Sequence, residues 1–407
     1  MSRAKRRSTS RERDARVRVL IDATAMPIDR GGVARYVDEL VRALDADLVV
    51  VCQPRDEQRY RDLAPDAVIV VGPRALSWRG YRLLWEQVSL PRVARRHDVD
   101  AVHSPHYTTP LFMARPRVVT VHDVTFFTEP ELHRPVKRWF FTTWIRISLR
   151  VADEIIAPSR ATAIELERAT GFRADDVLVA HHGVDHDRFS PPDDSRIDAV
   201  LTRHSLNRPY VLFLGTIEPR KNVPALIRAH ATLAVERPDA PLLVLAGARG
   251  WETGVDAALA EHPRPDLVRR LGYVDADDVV PLLGGADIVA YPSKGEGFGL
   301  PVLEAMASGA VVLTTRRLAI PEVAVDGAAY GEPEPDDLAR MLRLLLDDAG
   351  ERRRIRTRAL ERAAAFSWSE SAAAHLVAYR SAASLVPSTT GSLRLPRLDD
   401  SPTEPAH

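Results

Sequence analysis

Cysteine is nearly absent from this sequence: Cys52 is the only one in 407 residues. A single thiol excludes an intrachain disulfide and is typical of proteins from a reducing cytoplasm. No apolar run approaches the length of about 20 residues that a membrane-spanning helix needs. The basic N-terminus is not followed by the apolar segment of a secretory signal. These absences predict a cytoplasmic protein without a transmembrane helix.

The sequence also lacks a net charge and has little lysine. Its 56 basic residues balance 56 acidic ones, so no overall field favours binding to nucleic acid. Arginine supplies all the bases except Lys5, Lys137, Lys221 and Lys294. Such a bias indicates genome-wide coding preference. Lys221 and Lys294 lie inside motifs described below, where a compact ammonium is not equivalent to a guanidinium.

Apolar runs alternate with helix-like segments along the whole chain. Hydrophobic residues make up 45% of the sequence and charged residues 28%, as in ordinary globular proteins. The first half has strand-like runs at Val17–Asp22, Leu48–Cys52, Ala67–Val71, Val99–His103, Val118–Val121 and Glu154–Ala157. The second half has them at 210–214, Leu242–Ala246, Leu271–Tyr273, Ile288–Tyr291 and Val311–Leu313. Strands alternating with helices predict parallel sheets covered on both faces, and the length suffices for two domains.

The most informative stretch reads S-K-G-E-G-F-G-L-P-V-L-E-A-M-A-S-G, from Ser293 to Gly309. Its glycines follow an apolar strand, and Pro301 suits the first turn of a helix. A helix that begins there directs unpaired N–H groups at the glycine loop, which is a site for an anion. Glu296 in the loop and Glu304 in the helix could both face a ligand. The alternative is a glycine-rich turn with two solvated glutamates.

The segment E-G-F-G-L-P-V-L-E resembles the E-x7-E motif of retaining glycosyltransferases of family 4, which have the two-domain GT-B fold. The resemblance implies that Glu296 contacts the donor sugar and that Glu304 binds the ribose hydroxyls. It also implies that the loop amides bind the diphosphate. The residues that it assigns to nucleotide-sugar binding in this loop are Gly297, Phe298, Gly299 and Leu300.

A second motif, T-I-E-P-R-K-N, follows the strand that ends before Gly215. Arg220 and Lys221 on a loop above the carboxyl edge of a sheet could neutralise a diphosphate; the alternative is a solvated turn. E-P-R-K-N resembles the bacterial mannosyltransferase-like branch of family 4, which implies catalytic roles for both cations and donor binding at Gly215. Many family members have arginine directly after the glycine. Thr216 stands there, which leaves open which phosphate each cation binds.

Two further motifs lie in the first half of the chain. Gly31-Gly32 precedes a helix, and His122 follows the strand that ends at Val121. In the family such a glycine pair approaches the donor phosphate, and such a histidine lies beside the donor sugar, which implies a catalytic role for His122. The alternatives are an ordinary helix start and a histidine hydrogen-bonded to nearby backbone.

No metal or other cofactor is predicted. The adjacent histidines His181 and His182 and the short acidic patterns at Asp45, Asp98 and Asp275 lack the spacing of a ligand set.

The segment Pro135–Val151 is predicted to be a helix with an unusual surface. A stripe of apolar residues at helical spacing predicts its core face: Val136, Phe140, Trp144, Ile147 and Val151. Trp139 lies among arginines on the opposite face. It suggests either a contact with a membrane surface or an acceptor groove.

The predicted fold class is α/β of the GT-B type, with two Rossmann-like doubly wound domains facing across a cleft. We predict a disordered basic tail at 1–14, an acceptor-side domain at 15–185, a linker at 186–208 and a nucleotide-sugar-binding domain at 209–365. A C-terminal helix at 366–385 is predicted to cross back to the first domain. A disordered tail at 386–407 follows.

The resemblance implies a retaining glycosyltransferase that moves a hexose, in particular mannose from GDP-mannose. The predicted acceptor is a hydroxyl of a glycan or a lipid-linked sugar in cell-envelope or exopolysaccharide synthesis, and nucleic acid is not a partner. The basic tail and the Trp139 face suggest peripheral attachment to the inner face of the cell membrane. The alternatives are a phosphorylase-like enzyme that uses sugar phosphate and a non-catalytic nucleotide-sugar-binding subunit.

Overall fold

Two parallel β-sheets organise the chain in the computed structural model, which describes residues 16–28 and 30–384. The chain divides into two compact units. Among the described residues, the first comprises 16–28, 30–157, 163–179 and 372–384, and the second comprises Pro158–Thr162 and Ala180–Ser371. The tails predicted at 1–14 and 386–407 lie outside the described residues.

The first unit has a seven-stranded sheet in the order β3-β2-β1-β4-β5-β6-β7, and all its pairs are parallel. Its strands are β1 (Arg18–Asp22), β2 (Asp47–Cys52), β3 (Val68–Val71), β4 (Ala101–Ser104), β5 (Arg117–Thr120), β6 (Glu154–Ala157) and β7 (Val177–Val179). Its helices are α1 (Gly32–Ala43), α2 (Glu57–Leu63), α3 (Arg79–Val88), α4 (Leu90–Arg96), α5 (Thr125–Thr128), α6 (Pro135–Val151) and α7 (Arg160–Thr170), whose first turn the division places in the second unit.

The second unit has a six-stranded parallel sheet in the order β10-β9-β8-β11-β12-β13. Its strands are β8 (Tyr210–Leu214), β9 (Leu242–Ala246), β10 (Val268–Gly272), β11 (Ile288–Tyr291), β12 (Val312–Thr314) and β13 (Ala329–Tyr330). Its helices are α8 (Asp194–Arg203), α9 (Val223–Glu236), α10 (Val255–Ala260), α11 (Ala276–Gly285), α12 (Leu300–Ala307), α13 (Ile320–Ala324), α14 (Pro335–Asp347) and α15 (Ala349–Ala363). Two doubly wound α/β sheets confirm the predicted fold class.

Buried apolar runs explain why the central strands form where they do. Val19, Leu20 and Ile21 of β1 are fully buried, as are Leu212 and Phe213 of β8. A strand buried on both faces needs apolar residues at consecutive positions, and this is the pattern that the sequence shows. The central strands therefore lie where their apolar runs predict them.

The last helix, α16 (Trp368–Ser384), returns the chain to the first unit. His375 Nε2 lies 2.7 Å from the hydroxyl of Tyr36 on α1, and the Tyr379 hydroxyl lies 2.9 Å from His103 Nδ1 on β4. All four side chains are fully buried. The part of α16 that contains His375 and Tyr379 is thus an integral part of the core of the first unit.

The core face predicted for α6 is wrong. Val136 is 80% exposed, and the residues that the helix buries are Ile145, Ser148 and Leu149. The Ser148 hydroxyl donates to the Tyr107 carbonyl oxygen at 2.6 Å, so this buried hydroxyl group has a hydrogen-bond partner. A prediction from apolar periodicity alone places serine on the solvent-exposed face of the helix. The predicted core face is therefore rotated about the helix axis relative to the face that is buried.

Local differences also occur elsewhere. The strand predicted at Leu271–Tyr273 lies earlier, at Val268–Gly272, and its two arginines are exposed because β10 is an edge strand. The short strands β7 and β13 have no counterpart in the prediction. The interval 186–208, predicted as a linker, contains helix α8, whose N-cap Asp193 accepts a hydrogen bond from the Arg196 amide.

Gly183 is a position where any side chain is expected to destabilise the fold. A Cβ atom there would lie 2.2 Å from the Trp368 nitrogen and 2.3 Å from the Ser367 carbonyl carbon. Because these are backbone atoms, they cannot move aside cheaply. We expect Gly183→Ala to lower the free energy of unfolding by about 3 kcal/mol. The melting temperature, followed by circular dichroism, should fall by about 6 °C or more.

Gly32→Ala is the matched control, because a Cβ at Gly32 meets nothing within 4 Å. It should melt within about a degree of the wild type, since a surface change of this kind is usually worth less than about 0.5 kcal/mol. Equal melting temperatures for the two variants would contradict the close approach at Gly183.

Candidate active site

The candidate site lies at the carboxyl edge of the second sheet, where the strand order reverses. Strands β8 and β11 are neighbours there, although 73 residues separate the end of β8 from the start of β11 in sequence. The helix after β8 leads to β9 on one side of this pair, and the helix after β11 leads to β12 on the other side. Ligands of doubly wound folds bind in the crevice that such a reversal opens. The loops after β8 and β11 carry the two predicted motifs.

Three predicted site residues from these two loops are in direct contact. Arg220 and Lys221 both donate to the carboxylate of Glu296, and Arg220 also donates to Glu218 at 2.8 Å. Burial alone would raise the pKa of Glu296, but the Arg220 and Lys221 charges lower it to about 2. Glu296 is therefore a carboxylate at any physiological pH. Two cations and two carboxylates form one cluster, in which Lys221 and Glu296 are buried and Arg220 and Glu218 are half-buried.

Hydrogen bonds hold the glycine loop in one conformation around this cluster. Arg220 donates to the Gly295 carbonyl oxygen at 2.8 Å, and the Lys294 amide donates to the Arg220 carbonyl oxygen at 2.9 Å. The Ser293 hydroxyl donates to Glu296 at 3.0 Å. Because the loop's charged groups are positioned before any ligand binds, little reorganisation would be needed on binding.

Helix α12 begins directly after the loop, and Gly299 is its N-cap with φ of 95°. A side chain is strained in that left-handed conformation, so the turn from loop to helix requires glycine. Leu300 is the first residue of the helix, and Glu304 is buried, with 7% of its surface exposed. The positive end of α12 therefore lies at the end of the loop that carries Glu296.

The remaining predicted residues of this unit line the same loops. The Gly297 carbonyl oxygen accepts hydrogen bonds from Ser159 at 2.8 Å and Thr162 at 2.9 Å. Phe298 is buried, with its ring 4.9 Å from the ring of His182. Gly215 ends β8 and has φ of 151°. The structure thus brings Arg220, Lys221 and Glu296 into contact and places the others in the adjoining turns. Their roles toward a ligand stay predictions.

The other predicted residues belong to the first unit and are described separately. Gly31 is the N-cap of α1, and Gly32 is its first residue. His122 follows β5 and is buried, and its Nε2 donates to the Pro105 carbonyl oxygen at 2.9 Å. The backbone hydrogen bond of the alternative interpretation is therefore present. Burial lowers the pKa of His122, so the imidazole is neutral with its proton on Nε2.

A second buried polar cluster lies at the carboxyl edge of the first sheet. Within residues 16–28 and 30–384, Asp22, Glu86 and His106 are the group whose ligand-type atoms come within 4.8 Å of one another. Glu86 accepts from Arg82 at 2.7 Å and from Thr108 at 2.7 Å. A guanidinium inside the cluster disfavours a divalent cation, because it already neutralises the charge that a metal would bind. The cluster therefore does not fit a metal site.

The two carboxyl groups of this cluster differ in their pKa. Burial would raise the pKa of Asp22, but His106 at 3.2 Å lowers it to about 2. Burial raises the pKa of Glu86 in spite of the neighbouring Arg82. No sequence pattern indicated this cluster, because its members come from three separate segments.

Trp139 lines a surface pocket of about 560 Å³ between α5, α6 and α7. The indole is 69% exposed, and Arg138, Arg146 and Arg168 also line the pocket. Arg146 lies 4.9 Å from the centre of the Phe127 ring. The pocket is concave, with an aromatic ring and several cations, so both earlier hypotheses for the Trp139 face stay predictions.

Two side chains of the site were missed by the sequence analysis. Glu218 lies inside the quoted E-P-R-K-N motif, and its position two residues before Arg220 was the available signal. Ser293 donates to Glu296, but a serine before a glycine loop is too common to indicate this role. Both side chains stabilise the charged cluster.

No helix within residues 16–28 and 30–384 is both long and apolar enough to cross a bilayer.

Comparison with known proteins identifies the family. The family model for glycosyl transferases group 1 matches residues 198–362, and the model for glycosyltransferase family 4 matches residues 30–188. The O-antigen chain mannosyltransferase B of Escherichia coli is 34% identical over 283 residues, which are 68% of this chain and 73% of that protein. The MMP alpha-(1->4)-mannosyltransferase of Mycolicibacterium hassiacum is 30% identical over 335 residues, which are 76% of this chain and 75% of that protein.

Among solved structures, the sucrose-phosphate synthase of Thermosynechococcus elongatus has a TM-score of 0.72 at 18% identity and covers 90% of this chain and 98% of its own. At that identity the likeness concerns the fold alone. The two mannosyltransferases, in contrast, are similar to this chain in sequence over more than two thirds of its length. One family model matches residues of the first parallel-sheet unit, and the other matches residues of the second. The chain therefore belongs to glycosyltransferase family 4 and is a glycosyltransferase of the GT-B fold.

Proposed function

We propose that this glycosyltransferase moves mannose from GDP-mannose to a hydroxyl of a glycan or lipid-linked acceptor, with retention at the anomeric carbon. The observation that carries the proposal is the ion-paired cluster of Arg220, Lys221 and Glu296 at the switch point of the second sheet. Both reported relatives are named mannosyltransferases, and one of them acts on an O-antigen chain. We therefore assign the reaction to cell-envelope or exopolysaccharide synthesis.

The chemical difficulty is the charge that develops on the leaving group. The bond between the sugar's anomeric carbon and the phosphate oxygen breaks, and its electron pair stays on the β-phosphate. Arg220, Lys221 and the N-terminus of α12 supply fixed positive potential for that charge. The acceptor hydroxyl attacks from the same face, and its proton passes to the departing phosphate. Atoms and charges balance in this scheme without a metal ion, so none is proposed.

Glu296 binds rather than attacks in this proposal. Its low pKa makes the carboxylate a permanent hydrogen-bond acceptor, which suits the hydroxyls of the donor sugar. A nucleophile must approach the anomeric carbon freely, whereas both oxygens of Glu296 are held by Arg220 and Lys221. The same ion pairs hold the two cations where a diphosphate would meet them.

The other roles follow the resemblance. Glu304 binds the ribose hydroxyls, and the loop from Gly297 to Leu300 binds the diphosphate through its amides. Gly31-Gly32 approaches the donor phosphate, and His122 lies beside the donor sugar. These are proposals for the complex with donor.

The proposal predicts which nucleotide stabilises the protein. We expect GDP and GDP-mannose to raise the melting temperature in a thermal-shift screen, and UDP, dTDP and ADP to have little effect. A ligand at a hundred times its dissociation constant stabilises the native state by about 2.7 kcal/mol. Glu304→Ala should reduce the shift with GDP, because a lost hydrogen bond to a charged group typically weakens binding by about 1.5 to 3 kcal/mol.

Each other outcome has a definite meaning. A shift with UDP or dTDP alone would keep the glycosyltransferase and overturn the mannose assignment. An unchanged GDP shift in Glu304→Ala would overturn the ribose role. Turnover that requires free phosphate would favour the phosphorylase-like alternative. Binding of GDP-mannose without any transfer or hydrolysis would favour the non-catalytic subunit.

A further inference from the structure

Helix α3 and the loop beside it expose an unusual number of large apolar side chains. Trp78, the N-cap of α3, is 72% exposed, and Leu84 and Val88 on the helix are 61% and 45% exposed. Leu84 and Val88 are four residues apart, so they share one face of the helix. Phe112 in the neighbouring loop is 89% exposed. We call these four side chains together with the arginines named below the α3 surface.

The exposed charged side chains of α3, α4 and the turn before them are arginines, and the exposed Asp98 that follows them pairs with Arg115. Between residues 67 and 97 the sequence has six arginines and a single acid, Glu86. Glu86 is fully buried and accepts a hydrogen bond from Arg82, so it does not offset the charge at the surface. The other five arginines are exposed: Arg74, Arg79, Arg92, Arg95 and Arg96.

The opposite face of α3 and α4 packs into the core and so holds both helices in one orientation. Trp85, Leu90 and Ala94 are buried in a core cluster with Leu20 and Val49 of the central strands. The helices cannot rotate to bury the exposed side chains without removing these residues from the core. The exposed face is therefore a property of the folded unit.

The loop that carries Phe112 is attached to the same helix. The Leu111 amide donates to the side-chain oxygen of Gln87 at 2.9 Å, and the Gln87 amide group donates to the Thr109 carbonyl oxygen at 3.1 Å. Gln87 precedes Val88, so the loop is held next to the exposed face of α3. Exposed apolar side chains thus occur on two segments that are joined through Gln87.

We propose that the α3 surface docks the protein on an anionic lipid bilayer. The charge complementarity decides the occupant: five exposed arginines, on α3, on α4 and in the turn before α3, suit a broad surface of negative charge. Tryptophan, phenylalanine and leucine side chains beside them enter the boundary between headgroups and acyl chains. The polar groups of the arginines stay with the headgroup phosphates while their stems cover apolar surface. The proposal does not depend on which donor the enzyme uses, but it fits a lipid-linked acceptor.

The α3 surface differs from the Trp139 face, which was the membrane contact suggested by the sequence. Trp139 lines a concave pocket with arginines, a shape that suits a bound sugar or phosphate group. Leu84 and Val88 lie on an exposed helix face, a shape that suits a lipid surface. The two faces therefore make opposite predictions about which substitutions release the protein from vesicles.

The test is co-sedimentation of the full chain with vesicles of phosphatidylcholine, with and without phosphatidylglycerol. We expect binding only to the anionic vesicles, weakened by high salt. The double variant Arg95→Glu/Arg96→Glu should bind at least about tenfold more weakly, because each basic residue near the surface contributes about fivefold in affinity. The double variant Trp78→Ser/Leu84→Ser should also bind the vesicles more weakly, and high salt should abolish the binding that it retains.

Matched controls separate this surface from the rest of the protein. Arg353→Glu/Arg356→Glu makes the same charge change at exposed positions of α15 in the second unit, and its binding should stay within about twofold of the wild type. A chain without residues 1–14, which carry six bases and two acids, should still bind to the anionic vesicles. Circular dichroism of each variant checks that it is folded.

Several results would overturn the proposal. The first is vesicle binding that requires residues 1–14. The second is an equal loss of vesicle binding in the α15 control. The third is a loss of vesicle binding in Trp139→Ala while the α3 variants bind fully. Absence of wild-type binding to anionic vesicles would overturn it as well. Transfer to a water-soluble acceptor is measured separately in the same variants. It should be unchanged, so failure of the docking surface and failure of the proposed reaction are distinguishable.

Discussion

Lys221→Ala is expected to lower the rate of sugar transfer by about a hundred- to a thousandfold, the usual cost of removing one group that stabilises charge in the transition state. Lys221 is buried against Glu296, so no solvent cation takes its place easily. The measurement is kcat with GDP-mannose and an acceptor extract, or slow donor hydrolysis where no acceptor is known. The effect should fall on kcat more than on KM, because the charge grows as the bond breaks.

Lys294→Ala is the matched control for this prediction. Lys294 lies in the same glycine loop, two residues before Glu296, but its side chain is exposed. The same lysine-to-alanine change there should leave kcat within about twofold of the wild type. A loss of less than about fivefold in Lys221→Ala, in a folded protein that still binds GDP, would contradict the role of Lys221 in the reaction.

Glu296→Gln is expected to destabilise the second unit and to change how its stability depends on pH. The folded protein holds the pKa of Glu296 at about 2, against an ordinary value of 4.5. Between those two values the unfolded chain binds more protons, so stability from this carboxylate rises with pH and is complete above about 4.5. It is lost as the pH falls toward 2. The difference in pKa corresponds to about 3 kcal/mol.

Thermal unfolding of the wild type and of Glu296→Gln at about pH 7 and about pH 3 measures this effect. The variant should melt well below the wild type at the higher pH, because it leaves Arg220 and Lys221 buried without their shared carboxylate. At about pH 3, which lies between the two pKa values, the difference should fall to roughly half, because the folded wild type still keeps Glu296 ionised there. Glu361→Gln, an exposed glutamate on α15, is the control and should match the wild type at both values. A constant difference at both pH values would contradict the assignment.

The charged cluster explains how one site can be both stable and reactive. Arg220 and Lys221 repel each other, and without Glu296 and Glu218 they would destabilise the loop that carries them. With the carboxylates present, the cations are held at the sheet edge before a diphosphate arrives. The residues proposed to bind the ligand therefore also stabilise the fold, so the stability of every variant must be measured together with its activity.

Much of the local structure was predictable from the sequence, because it depends on interactions between near neighbours. The predicted helix Pro135–Val151 has the same bounds in the structure. The strands Leu242–Ala246 and Ile288–Tyr291 also agree. Apolar runs, prolines in first turns and glycines after helices are signals that a segment carries within itself.

The candidate site was predictable in its residues but not in its contacts. The motifs E-P-R-K-N and E-x7-E named Arg220, Lys221 and Glu296, yet the sequence analysis assigned the cations to a phosphate and the glutamate to a sugar. Their mutual ion pairs join residues 75 and 76 positions apart. The pairs exist because β8 and β11 are neighbours in the sheet, and strand order is not encoded in any single segment.

Which face of a helix is buried was also decided by the tertiary structure. The sequence alone determined that α6 is a helix, that Val17–Asp22 and 210–214 are strands and that the chain carries the motifs of family 4. Only the folded units decided that α6 buries Ser148 rather than Val136 and that α3 leaves Leu84 and Val88 exposed. The physical reason is that periodicity reports which residues share a face. Whether that face meets a core, a carbonyl partner or open space depends on segments far away in the sequence.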